Sequence, residues 1–222
     1  MDILNKAFGE VGAEYGYDSV TAEFCEYKDF KVKWRRSCGW AEFEVSDYLK
    51  DAPKEAIEGL ARTIFSRIGG RCGKADKKMT EYITSSKFIE DKQPVYIARS
   101  RNISDSQEGE YFDLSHVYEA LVLLGLVEKD DQIQLRWTKT PNVRRIGLAS
   151  VLMKVAVVSS LFDSEEIPYY VREFVLYHQL LHIAKGFNPF EVKHDETFEE
   201  KERLYPQYED AQKWLRTMRL YF

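Results

Sequence analysis

Two stretches of this chain run through the same course of patterns, and that repetition limits the fold more than any other feature. The first contains Phe30, Val32 and Trp34 alternating with lysines, then Ala41, Phe43 and Val45 alternating with polar residues. The second contains Ile133, Leu135 and Trp137, then Ile146, Leu148 and the pair Ala149 and Ser150. A period of two marks strands, and a polar stretch between paired runs marks a hairpin. Downstream of each, a proline opens an apolar segment with helical spacing: Pro53 before Ile57 and Leu60, Pro168 before Val171 and Val175. Proline suits the first turn of a helix, where its missing N–H is not needed. Upstream, residues 117–127 read as a helix, with 4–11 as a shorter counterpart. On this alignment the second copy carries an insertion around residues 153–166. The expected division is 1–103 and 104–222, with the boundary in the polar stretch 100–110. The two sheets could still join into one core.

Composition admits such a fold. Of the 222 residues, 44% are apolar and 31% charged, enough apolar matter for a buried core. The net charge of −5 argues against a generally basic nucleic-acid binder. No apolar run reaches the ~20 residues needed to span a bilayer. The first residues lack a basic head followed by an apolar stretch. Cys25, Cys38 and Cys72 are too scattered for a disulfide framework or a zinc ribbon. These features lead to the expectation of a reduced, cytoplasmic protein with no membrane contact.

The chemistry concentrates in three of the four histidines. His178 and His182 are spaced i, i+4, which on a helix is an offset of about 40° and a rise of ~6 Å, so both rings share one side. Gly186, Asn188 and Pro189 then break the helix, letting the chain turn back with His194. Three imidazoles around one ion, with a fourth position left to water, is the layout of a catalytic zinc site. The flanking residues Phe174, Val175, Leu176, Leu180, Leu181 and Ile183 make the helix apolar nearly all round, so it should be buried. Buried histidines need partners: one metal serves all three, while ordinary hydrogen bonds to backbone or carboxylate are the alternative. The fourth histidine, His116, follows candidate caps Asp113 and Ser115 and is assigned no function.

The histidine pair, followed by His194 with Phe198 four residues on, then Pro206 with Tyr208, then Trp214 with Leu215, resembles the YgjP-like and SprT-like zinc peptidases. The resemblance covers about 90 residues of the C-terminal half. It implies an α+β, zincin-like fold, here in tandem duplicated units of helix, hairpin and active-site helix. It further implies His178, His182 and His194 as ligands of one zinc ion, and a protein that hydrolyses peptide bonds with metal-activated water. The family carries glutamate where this chain has Gln179. A general base must accept a proton from water, and an amide cannot; losing such a base typically costs about 10²–10⁴ in rate. Metal binding does not use position 179. This form is therefore expected to be inactive or very slow. Either glutamate has been exchanged to give an inactive form, or the chain is a metal-binding pseudo-enzyme that serves as a scaffold or interaction protein. Asp195, beside His194, is a candidate to support a ligand, whereas Glu196, Glu199 and Glu200 read as a solvated acidic face. Residues 144–149 form a candidate edge strand on which an extended peptide could pair.

Laid on the first half, the same template places Thr63 and Arg67 where the histidine pair stands, and residues 78–82 where His194 leads to Phe198. None can hold zinc, so the first copy is degenerate. Arg62, Arg67, Arg71, Lys74, Lys77 and Lys78 make its 62–78 region locally basic, a phosphate-binding patch or a solvated face. A weaker alternative reads residues 111–138 as a winged-helix nucleic-acid module. Its helix is apolar where a groove reader needs Arg, Lys, Asn or Gln.

Overall fold

The structure is a computed structural model that describes residues 2–70, 74–190 and 194–221. Arg71 and Cys72 lie outside the described residues. The architecture is mixed α and β, with eight helices and two three-stranded sheets among the described residues. The chain forms two compact units, residues 1–92 with 188–191 and residues 93–187 with 192–222.

In the first unit, α1 (Ile3–Glu14) is started by Asp2, whose side chain accepts from the Leu4 N–H. Three strands follow: β1 (Ser19–Cys25), β2 (Val32–Ser37) and β3 (Trp40–Ser46). They lie in the order β1-β3-β2, with β1 parallel and β2 antiparallel to β3. After a 3₁₀ turn, Asp47–Leu49, come α2 (Lys54–Ile68), α3 (Lys77–Ile83) and α4 (Ser86–Arg99). The division between the units falls inside α4. The core is aromatic: Phe43 of β3 lies 4.8 Å from Phe8 of α1 and 5.1 Å from Phe65 of α2, between ring centroids.

The second unit repeats this order. It has α5 (Leu114–Leu123), β4 (Gln134–Trp137), β5 (Gly147–Ser150), β6 (Val155–Val158), a 3₁₀ turn Ser160–Phe162, α6 (Tyr169–Lys185), α7 (Glu196–Arg203) and α8 (Tyr208–Tyr221). Its sheet runs β4-β6-β5, with β4 parallel and β5 antiparallel to β6. Helix α6 is the centre of this unit, packing on β5, β6, α5, α7 and α8. All of residues 171–177, 179–181 and 183 are buried. That explains an apolar helix with no polar stripe.

The strand alignment expected from sequence needs correcting. The first hairpin, β2 with β3, is as read, but residues 133–139 and 145–150 do not pair with each other. Strand β4 pairs with β6, and the second hairpin is β5 with β6. Trp137 therefore stands on the counterpart of β1, whereas Trp34 is on β2. The supposed insertion at 153–166 holds the central strand of the sheet. Val155, Ala156, Val157 and Val158 are all buried, so both faces are apolar and no alternation marks them. Asp113, rather than Ser115, caps α5 by accepting from the Ser115 N–H. That helix buries Leu114, Val117 and Leu121 and leaves His116 exposed.

Candidate metal centre

Pro168 starts α6 and Gly186 ends it, at a φ of +81° that L side chains rarely adopt. Between them, the i, i+4 spacing puts His178 and His182 on the side of α6 that meets α7. The chain returns with His194, immediately before Asp195, which caps α7 by accepting from the Phe198 N–H at 2.9 Å. Three imidazoles from a helix and a loop thus meet at one corner of the second unit.

Their nitrogens converge. Nε2 of His182 lies 3.2 Å from Nε2 of His178 and 3.1 Å from Nε2 of His194. Candidate ligand atoms of all three residues fall within 4.8 Å of one another, close enough to hold a metal ion. Around a tetrahedral ion at roughly 2.0–2.1 Å, neighbouring ligand atoms stand about 3.3 Å apart, near these separations. A single N–H on His182 Nε2 could be donated to only one of its two neighbours. A shared cation takes a lone pair from each.

A carboxylate fixes the first ring. Nδ1 of His178 lies 2.5 Å from Oε1 of Glu202 on α7. In a neutral His178, a carboxylate at this place favours the tautomer with the proton on Nδ1, which turns the Nε2 lone pair toward the other histidines. Glu202 and Phe198 are the buried residues of α7, spaced i, i+4 on its inner side. The Phe198 ring lies 5.3, 4.6 and 4.8 Å from the rings of His178, His182 and His194. It gives the three imidazoles a common apolar wall. Sequence reading named Phe198 only as part of a motif and missed Glu202. The available signal was the spacing of one aromatic and one acid on an otherwise charged helix.

Hydroxyls of buried tyrosines brace this corner. Tyr177 donates to the Lys201 carbonyl at 2.5 Å, tying α6 to α7. Burial, with the nearby Glu202 charge, pushes its phenol up to about 12. Tyr205 donates to Oε2 of Glu173 at 2.5 Å, and its pKa is raised by burial and then by that carboxylate. Both remain protonated donors throughout the ordinary pH range.

Gln179 is buried at 6% exposure and turned toward the sheet. A Cβ built on Gly147 of β5 would stand 2.5 Å from Gln179 Nε2 and 2.7 Å from its Cδ. Glycine at 147 is what lets the side chain at 179 lie against this strand. Strand β5 pairs with β6 on one side only among the described residues, so it is an edge. The two arginines of the expected 144–149 strand precede it and are exposed.

Asp195 caps α7 through Oδ1 and pairs through Oδ2 with Lys185 at 2.7 Å. Glu196, Glu199 and Glu200 are exposed, with Glu199 paired to Arg203 at 3.3 Å. In the first unit, Arg62 makes two hydrogen bonds to Glu14, at 2.6 and 3.2 Å, and Lys77 pairs with Glu81 at 3.5 Å. The basic character of residues 62–78 is thereby reduced, with Arg67, Lys74 and Lys78 exposed. Thr63 is buried and meets the start of α3, but Arg67 is exposed; the α2 residues that meet Asp76 are Gly59 and Thr63. No helix of the described residues is long and apolar enough to cross a membrane.

No protein-family model matches the chain, and neither curated proteins nor solved structures give a match.

Proposed function

We propose that the second unit is a zinc-dependent metallopeptidase-type domain, with His178, His182 and His194 as ligands and position 179 as the seat of the general base. The observation that carries this reading is the convergence of three Nε2 atoms at 3.1–3.2 Å, with Oε1 of Glu202 2.5 Å from the far nitrogen of His178. A divalent ion held there supplies Lewis-acid activation of water and of a peptide carbonyl. The chain's own residues do the rest. Glu202 orients His178, and Phe198 shields the imidazoles on one side. The unpaired edge of β5 offers N–H and C=O groups to an extended peptide, beside residue 179. Gln179 can hold a water by hydrogen bond but cannot take its proton, so the chain as it stands hydrolyses slowly or not at all.

The first unit, with the same element order and sheet order, fits a duplicated copy that has no such ligand set among the described residues. The glutamine itself favours a second reading, a metal-binding scaffold with no hydrolytic role. One experiment separates the two. Zinc content is measured on the purified chain, and cleavage of casein is followed for the chain and for Gln179→Glu. Stoichiometric zinc with cleavage gained in Gln179→Glu supports the peptidase reading. Zinc with no gain supports the scaffold. Absence of zinc overturns both.

A further inference from the structure

His194 is the exposed member of the triad and stands on a loop, whereas His178 and His182 are fixed by a buried helix. A ligand on a loop is placed only as well as its neighbours are placed. The neighbouring carboxylate of Asp195 has its two oxygens committed to different helices. Oδ1 accepts from the Phe198 N–H at 2.9 Å, at the first turn of α7. Oδ2 pairs at 2.7 Å with Nζ of Lys185, the last residue of α6. Lys185 is close to the C-terminal carbonyls of α6, where a cation is favoured, and Asp195 is at the N-terminus of α7, where an anion is favoured. The pair is partly shielded, with side-chain exposures of 18% and 34%.

We infer that the Lys185–Asp195 clasp is the positioning device of the metal site. It registers the residue after His194 against the helix that carries the other two ligands, and so sets the third imidazole within reach of the ion. Lys185 and Asp195 act through His194 rather than on the ion. This rests on the metal-site reading above and extends it to two residues with no ligand role.

The test uses the full chain, metal-free and then titrated with zinc against a chromophoric chelator, alongside Lys185→Met, Lys185→Arg and Asp195→Asn. Asparagine keeps the capping oxygen and removes the charge partner; methionine keeps the apolar stem. Cobalt(II) replaces zinc in parallel, because its visible absorption reports the number and arrangement of ligands. The expected result is zinc affinity weaker by about 10-fold or more in Lys185→Met and in Asp195→Asn, as for other groups that orient a ligand. The cobalt bands should weaken in both, and Lys185→Arg should recover most of the affinity. The metal-free chains should melt within ~2 °C of one another, since a partly exposed ion pair adds little stability. Equal zinc affinity in all four chains overturns the clasp. So does a loss of affinity that merely follows a lower metal-free melting temperature and is not recovered by arginine. A starting chain that binds no zinc overturns the three-histidine site and the clasp with it, an outcome distinct from matched affinities.

Discussion

The corner between α2 and α3 and the corner between α6 and α7 are built from the same parts and closed in different ways. In the first unit, Gly59 and Thr63 stand i, i+4 on α2, and Asp76 caps α3. Thr63 accepts from the Asp76 N–H at 3.0 Å and donates to the Gly59 carbonyl at 2.8 Å. The Asp76 carboxylate lies over Gly59, where an added Cβ would stand 2.3 Å from Oδ1. In the second unit, His178 and His182 take the i, i+4 places and Asp195 the cap, with His194 added just before it. There three ring nitrogens crowd to 3.1–3.2 Å, close enough to share one metal ion. One hydroxyl and a glycine close the first corner; three imidazoles stand close enough in the second to hold an ion.

That contrast breaks most visibly on metal addition. Zinc at about 1,000 times its Kd should stabilise the second unit by about 4 kcal/mol, lost on chelation and absent in His178→Ala/His182→Ala. Calorimetry with and without zinc checks this, and an equal gain in the first unit's transition would erase the distinction. Next in size is Glu202→Gln. Removing the carboxylate from His178 Nδ1 should weaken zinc binding by about 10–100-fold, measured by competition titration. Smaller again, and blind to metal, is Asp76→Ala, which removes the α3 cap and should cost about 1 kcal/mol in a urea titration at any zinc level. The smallest effect lies at high pH. The Tyr177 phenol is raised from 10.0 to about 12, so between these values the folded chain holds a proton that the unfolded chain has released. Stability from this group is complete below pH 10 and falls as pH rises toward 12. Tyr177→Phe should flatten that part of a stability-against-pH curve.

Much of this was legible in sequence where the pattern is local. The hairpin of β2 and β3 shows its period of two, α6 shows a proline start and a glycine stop, and the histidines show their spacing. What stayed hidden depends on partners distant in the chain. The four residues of β6 are apolar on both faces, and a strand covered on both sides looks like any short greasy run. Glu202 carries no mark separating it from the solvated acids of α7 except its place one turn beyond Phe198. The approach of Gln179 to Gly147 joins a helix to a strand 32 positions earlier, and only the packing of α6 on β5 brings them together.

The seat shared by positions 147 and 179 constrains how this chain can change. A larger residue on the strand would have to displace the helix side chain, so the two sites can vary in bulk only in concert. Swapping amide for carboxylate alters no volume, because glutamine and glutamate have the same shape. The step between an inert and a proton-accepting group at this place is thus a single substitution that meets no steric barrier.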